Sequence, residues 1–511
     1  MKKTRVLLVY PEIPDTYWSM KRAISVVGKK ALMPPLGILT IAAFLPEDEF
    51  DLRLVDLNVR RLSDAEIAGA DLVMLSAMLV QKASFRAVID RCKKLGVRVA
   101  AGGPYPTACR QEMEGVDFLF LGEGERTMPA FLEDWRAGRP AAVYQETDKP
   151  SLDEAPIPRF DLIRARDYMD MPVQFSRGCP FGCEFCDITA LFGRKTRTKS
   201  PERFLRELEA IQAAGADGGV FVVDDNFIGN RRHTRELLDA LVSWQTDRGF
   251  PFAMSTEVSI DLASDEDLMD AMVAANFRMV FVGIETPHTA SLVSTGKSQN
   301  LRRDPVEAVK ILQRKGLQVT GGFIVGFDTD PPDICALQAD FVKALAVPIA
   351  MVGILTALPG TELCRRLERE GRLLAGSSGN NTHVASFNFR TVLPVDELLA
   401  GYHRLIREIY RPRAYFDRCI EYLRRLPLGK TEKAAAHSPF RLVNIVYLFR
   451  SLFLQSFSHY GLEYLRFLAK AFAANRRQFY EAVTLAVQAR HFFSITEKTL
   501  LRFEAATSRG A

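Results

Sequence analysis

Residues 173–186 read VQFSRGCPFGCEFC. A short apolar, β-favouring run meets Gly178 and then three cysteines, Cys179, Cys183 and Cys186, spaced C-x3-C-x2-C. A strand that runs into a Gly- and Pro-containing loop reads as the carboxyl end of a parallel strand. The thiols therefore sit on a loop at the face of an α/β unit where chemistry is usually done. Thiolates are the ligands that an iron–sulfur cluster requires. A [4Fe–4S] cluster takes four ligands, and three cysteines leave one iron open to a small molecule. A structural zinc site would want a fourth Cys or His close by, and the nearest His is His233, 47 residues beyond Cys186.

Downstream, the strand signal recurs at GVFVVDD (219–225), FAMSTEV (252–258), MVFVGIE (279–285), VTGGFIVGF (319–327) and IAMVGILTAL (349–358). Amphipathic stretches such as PERFLRELEAIQAAG and DEDLMDAMVAANF separate these runs. Six strand–helix units, counting VQFSRG (173–178), predict a partial (β/α)6 barrel over residues 173–365 with its site at the carboxyl strand ends. Upstream, TRVLLVY (4–10), DLRLVD (51–56), DLVMLSAM (71–78), VRVAAGG (97–103) and DFLFLGEG (117–124) read as buried parallel strands. With the helical PLGILTIAAFL and SFRAVIDRCKKLG between them, they predict a doubly wound, Rossmann-like domain over residues 1–145. Its strand-end loops carry Ser76, Gly102, Gly103, Gly122 and Gly124, small residues that let a bulky ligand approach the backbone or simply make ordinary turns. The Pro- and acid-rich ETDKPSLDEAPIPRFD marks a linker, taken as 146–172, and residues 366–511 read as a loop, GSSGNNT (376–382), and then mainly helix.

Across 511 residues, 48% hydrophobic and 25% charged residues describe a globular chain with real cores. Eight cysteines, three of them within eight residues, are too few for a disulfide scaffold and suit a reduced cytoplasm. No run of about 18 uncharged apolar residues crosses a bilayer, and MKKTRVLLVYPE lacks the apolar length and cleavage site of a secretion signal. Nothing in the charge pattern suggests nucleic acid. The tail differs from the rest: residues 431–511 hold 11 Lys+Arg against 5 Asp+Glu, and 14 Phe and Tyr. Within it, FRLVNIVYLFRSLFLQSF (440–457) reads either as a cap buried on the barrel or as a helix lying on an anionic membrane surface. His437, His459 and His491 read as ordinary surface or core residues, and Cys92, Cys109, Cys335, Cys364 and Cys419 as small hydrophobes.

The cysteine spacing, with Phe185 before the last Cys, resembles the motif of the radical S-adenosylmethionine superfamily. The resemblance implies that S-adenosylmethionine chelates the open iron and is cleaved to a 5′-deoxyadenosyl radical, with electrons from a flavodoxin or ferredoxin. It implies that Asp224, Asp225 and Asn226 meet the methionyl amine. It also implies that Glu257 and Glu285 meet ribose or carboxylate, and that Gly322, Ile324 and Gly326 pack on adenine. The acidic residue expected beyond that last segment is out of register, since Asp328 comes one place early. The first domain, through LMPPLGILTIAAFL (32–45), GGPYPTA (102–108) and LGEGE (121–125), resembles the cobalamin-binding domain that precedes many such cores. This implies cobalamin over Ser76, Gln81, Gly102, Gly103, Tyr105, Gly122 and Gly124. The D-x-H-x-x-G motif that supplies a histidine to cobalt is absent, and no His precedes His233, so this domain offers cobalt no imidazole.

More narrowly, residues 174–202 with VVDDNFIGNRR (222–232), GIETP (283–287) and GFDTD (326–330) are similar to the hopanoid C-2 methylase group of bacteria. The implied function is a cobalamin-dependent radical C-methyltransferase acting on an unactivated carbon, here of a small molecule or hopanoid-like lipid. The implied location is cytoplasmic, with peripheral contact at the inner membrane as the alternative. Two other functions fit the same motifs: a radical cyclisation or oxidative rearrangement that uses cobalamin without methyl transfer, and a cobalamin or redox sensor.

Overall fold

The computed structural model describes residues 2–216, 218–382, 386–427 and 442–507. Two six-stranded parallel sheets carry the molecule. The first contains β1 (Thr4–Tyr10), β2 (Phe50–Asp56), β3 (Leu72–Ser76), β4 (Arg98–Gly102), β5 (Phe118–Leu121) and β6 (Val143–Gln145), in the order 2-1-3-4-5-6. Successive residues of β1 alternate between two cores. Val6 and Leu8 pack with Ile38 of α1 (Leu36–Ala42) and Phe131 of α3 (Gly124–Arg136), whereas Leu7 and Val9 pack with Phe85 and Val88 of α2 (Lys82–Lys94). Burial on both faces is why these strands read as unbroken apolar runs. The short β6 was not expected from the sequence: three residues carry no readable period.

The second sheet is the partial barrel. Its strands are β7 (Asp170–Val173), β8 (Gly218–Val222), β9 (Phe252–Val258), β10 (Phe277–Glu285), β11 (Gln318–Val325) and β12 (Ala350–Ile354), all parallel and paired in chain order. The helices α4 (Pro201–Ala213), α5 (Arg231–Asp247), α6 (Glu266–Ala274), α7 (Pro305–Lys315) and α8 (Ile334–Leu345) connect successive strands. One expected strand is displaced. The run at 173–178 is not a single strand: β7 ends at Val173, and Ser176–Arg177 pairs instead with Arg197–Thr198 in a two-stranded antiparallel ribbon that closes the base of the cysteine loop. Pairing across the loop stops the strand, because Ser176 and Arg177 cannot serve both partners.

A six-stranded sheet leaves two edges with unpaired backbone groups. After α9 (Glu362–Arg369), the helices α10 (Val395–Ile409) and α11 (Pro412–Arg425) cover one of them. The Tyr410 hydroxyl donates to Ala350 O at 2.7 Å and accepts from Ala350 N at 3.2 Å, and the Tyr402 hydroxyl donates to Val352 O. At the other edge, Asp170 N donates to Leu32 O at 2.9 Å, which ties β7 to the first domain. The remaining helices, α12 (Leu442–Ser456), α13 (Gly461–Ala474) and α14 (Phe479–Thr507), continue the same core. Phe492 of α14 is fully buried, with ring centroids 5.0 Å from Tyr410 and 6.1 Å from Tyr17. His491 reaches the carbonyl oxygens of Thr16 and Tyr17, and burial pushes its imidazole down to about 4, so it packs as a neutral ring.

Phe492 thus joins three regions through one ring stack. Phe492→Ala should lower the unfolding free energy by about 3–5 kcal/mol, read as a reduced denaturation midpoint in chemical unfolding.

Candidate functional site

The carboxyl strand ends of the two sheets face one another across a single cavity of about 2890 Å³. Cys179, Cys183 and Cys186 line it from the barrel side. All three thiols are half-buried, and burial raises Cys179 and pushes Cys186 up to about 12. Cys179 and Cys186 so placed stay protonated until a metal takes them as thiolates. Among the described residues no three His, Cys, Asp or Glu side chains converge closely enough for a single ion. A cubane spreads its ligands over separate corners, so the loop suits a cluster better than a lone zinc. The Gln299 amide lies 3.7 Å from Cys183 Sγ, a sulfur-directed donor of the kind that tunes clusters.

Lys297 is the charged group that the sequence reading passed over. Its ammonium lies 2.6 Å from Glu285 and 5.8 Å from the Phe185 ring centroid. Burial would lower it, but Glu285 and the neighbouring thiols Cys183 and Cys186 raise it. A lone Lys in the loop STGKSQ carries no motif; only folding puts it beside the cysteines.

The expected S-adenosylmethionine residues divide into two sets. Asp224, Asp225, Asn226, Glu257 and Glu285 all line the cavity. Three of them also brace the barrel rim: Asp224 accepts from Phe175 N and Ser176 Oγ, Asp225 from Gly178 N, and Asn226 from Ser259 N. Glu285 takes a left-handed backbone, φ +68, at the point where the β10–β11 register shifts. Gly322, Ile324 and Gly326 do not line the cavity. A Cβ on Gly322 would meet the Phe281 ring at 2.8 Å, and one on Gly326 would meet Phe387 at 2.5 Å. These glycines make room for the chain's own aromatic rings. The acidic role near them falls to Asp330, which accepts from Gly326 N and Phe327 N.

On the other wall, Ser76, Gly102, Gly103, Gly122 and Gly124 line the cavity. A Cβ on Gly103 would come within 2.5 Å of Ser76 Oγ and one on Gly124 within 2.3 Å of Ile41, so any side chain there would close the crevice. Gln81 and Tyr105 are not on this wall. The Gln81 amide is consumed by Pro11 O and Met78 N, and the Tyr105 hydroxyl donates to Glu112 while its ring packs on Phe85. Both are buried polar side chains satisfied within the first domain, a role that sequence position alone does not separate from ligand contact. The loop at Gly379–Asn381 joins this wall, with Gly379 against Leu79 and Val80. No histidine lines the cavity among the described residues.

A buried ion cluster locks the two walls together. Arg177 pairs with Glu123 at 2.5 Å and Glu125 at 2.8 Å, and Arg197 pairs with Glu123 at 2.6 Å. Burial alone would raise the Glu125 carboxyl, but Arg177 draws it below the ordinary range. Glu257 has no such ion pair: burial, with Asp225 and Asp224 nearby, outweighs the pull of Lys297 and pushes it up to about 8. Between its ordinary value near ~4.3 and about 8, the folded cofactor-free chain keeps a proton that the unfolded chain releases. This group therefore costs stability as pH rises through that window. Glu257→Gln should be more stable than the parent at pH 8, and the difference should vanish at pH ~4, as read from denaturant unfolding at the two values.

Residues 173–335 match the radical SAM superfamily, residues 25–132 the B12 binding domain and residues 361–505 a domain of unknown function. An uncharacterized methyltransferase of Synechocystis is 42% identical over 86% of this chain and 82% of its own length. Hopanoid C-2 methylase of Rhodopseudomonas palustris is 34% identical over 81% of this chain and 78% of its own length. Among solved structures, the cobalamin-dependent radical enzyme OxsB, with aqua-cobalamin and S-adenosylmethionine bound, superposes with a TM-score of 0.60 at 16% identity, over 100% of this chain and 81% of that one. TsrM from Kitasatospora setae, a methyltransferase with cobalamin and a [4Fe–4S] cluster bound, gives 0.57 at 15% identity, over 74% and 80%. These likenesses support the two-sheet fold. The relatives and the domain matches together settle the family: the chain belongs to the cobalamin-dependent radical S-adenosylmethionine methyltransferases, the family that includes hopanoid C-2 methylase, and its cofactors are a [4Fe–4S] cluster, S-adenosylmethionine and cobalamin.

Proposed function

We propose that the chain methylates an unactivated carbon of a hopanoid-like lipid held between its two sheets. The observation that carries this reading is the single cavity, whose opposite walls bear the cysteine loop and the glycine crevice and whose middle is apolar. When bound, the cluster and S-adenosylmethionine supply a hydrogen-abstracting radical, and cobalamin supplies the methyl group. Cys179, Cys183 and Cys186 hold the cluster. Asp225, Glu257 and Glu285 present carboxyls to the bound S-adenosylmethionine, and Lys297 keeps Glu285 oriented. Gly102, Gly103, Gly122 and Gly124 would let cobalamin approach the backbone, with Ser76 beside it. Between them, Phe281 with the tilted Trp18 ring 5.0 Å away, and Met279 and Met351 below, exclude water from the carbon to be methylated. The similarity to hopanoid C-2 methylase supports a polycyclic lipid, and a flavodoxin- or ferredoxin-type protein serves as electron donor.

Cys183→Ala in the anaerobically reconstituted protein should lose cluster absorbance and all 5′-deoxyadenosine formation, whereas Cys92→Ala should keep both. A Cys183→Ala protein with full turnover contradicts the assignment.

The tail supports peripheral contact with a bilayer. Phe440 and Arg441 of the 440–457 stretch lie outside the described residues. In α12, Ser451 and Gln455 are buried against the molecule, while Phe449 and Phe453, with Phe457 just past its end, are 65%, 72% and 85% exposed. Three large apolar side chains at i, i+4 and i+8 form an outward stripe, unlike the inward face of a cap. Leu462 and Leu465 of α13 are exposed as well, and Arg450 and Arg466 lie on the same two helices. No helix among the described residues is long and apolar enough to cross a membrane. The chain should therefore sediment with anionic phospholipid vesicles, less so at high salt. Replacing Phe449, Phe453 and Phe457 together with Ser should cut that binding at least tenfold.

A further inference from the structure

The cavity does not end beneath the cysteines. It continues down the inside of the barrel to the amino ends of the strands, where Arg278 and Gln318 line it with Tyr422 of α11 and Glu481 of α14. Strand β9 alone has seven residues, so ~20 Å separates the two ends at ~3.3 Å per residue. The middle is apolar, but the foot is not. Among the described residues, the Arg278 guanidinium makes no hydrogen bond and no ion pair; the opposing charge it feels is that of Glu481. Glu481 in turn has the Tyr422 hydroxyl as its neighbour. Two further lining residues, Gln318 and Gln478, are buried, and each has an amide nitrogen without a hydrogen-bond partner.

A half-buried guanidinium with its donors unspent is costly unless a ligand uses them. The same holds for orphaned amides, since buried polar groups are almost always paired. What they would pair with follows from their mixture. A lone arginine would favour an anion, but Glu481 cancels the charge and adds an acceptor. Donors and acceptors side by side match hydroxyl groups, which both give and accept.

We infer that the foot of the barrel is a second binding subsite, built on Arg278, Glu481, Tyr422, Gln318 and Gln478, that reads the polyhydroxylated end of an elongated lipid whose apolar body fills the barrel. This rests on the reading of the barrel interior as the substrate site. The subsite makes the chain a ruler: the carbon presented under the cysteines is set by its distance from the hydroxylated end.

Two probes test this in the cofactor-loaded protein: a pentacyclic triterpene hydrocarbon and the same ring system carrying a polyhydroxylated side chain. By calorimetry the parent should bind the hydroxylated probe at least tenfold more tightly. Arg278→Met should remove most of that preference, leave hydrocarbon affinity unchanged and raise KM for the hydroxylated probe more than it lowers kcat. Affinity for S-adenosylmethionine serves as the fold control, and Glu481→Gln, which keeps shape and hydrogen bonding, should weaken the preference less. Equal affinity of the parent for both probes, or an equal loss for both in Arg278→Met, overturns the inference. Methylation of either probe is scored separately. Tight, Arg278-dependent binding without methylation upholds the subsite and refutes the proposed reaction, whereas methylation of both probes with no binding preference does the reverse.

Discussion

The paired arginines Arg177 and Arg197 and the carboxylates Glu123 and Glu125 form the contact on which the site depends. Glu123 and Glu125 follow β5 of the first domain, and Arg177 and Arg197 form the two strands of the ribbon at the base of the cysteine loop. Charges this buried are expensive alone and tolerable only as a complete set. The set forms only when the carboxyl strand ends of both sheets point at each other. The charge network therefore imposes an orientation that apolar packing, being non-directional, does not specify. Gln174, which accepts from Arg177 Nε at 2.8 Å, extends the constraint back along the chain to the end of β7.

That orientation determines what the rest of the chain must do. Two sheets meeting at their strand ends leave a barrel flank open and two edges unpaired. The N-terminal segment closes part of the flank, with Trp18 on Phe281 and Leu32 on β7. The last three helices close the remainder, held by the Tyr17–Tyr410–Phe492 stack and by His491. This is why the tail shares one core with the barrel and does not form a separate body. The same helices give α12 its two characters, an inner side that meets the molecule and an outer row of phenylalanines.

The polar groups of the cavity sort by what already satisfies them. Asp224 and Asn226 spend their oxygens on the backbone of the barrel rim, as Gln81 and Tyr105 spend theirs inside the first domain. Glu257 and Arg278 do not, and among the described residues each faces the cavity with its bonding capacity free. A residue with its partners filled holds shape; one without them waits for a ligand. On that criterion the upper and lower ends of the cavity are both binding surfaces, and the apolar stretch between them is a sleeve.

Much of this was legible in the residues. Apolar runs and amphipathic spacing are local, so they revealed two α/β units and the order of their strands; C-x3-C-x2-C and the absence of histidine before His233 are local too. Composition marked the tail as different without saying which side of α12 faced out. Other features lay beyond reach because they are relations between distant residues. Lys297 meets the cysteines from more than a hundred positions away, and Arg278 meets Glu481 across two hundred. Strand alternation would allow Gly322 to face a cofactor, yet the Phe281 ring of the neighbouring strand stands over it. Sequence patterns encode what each segment prefers to bury. Which of two buried-looking residues touches a ligand depends on what packs against it, and only the folded chain decides that.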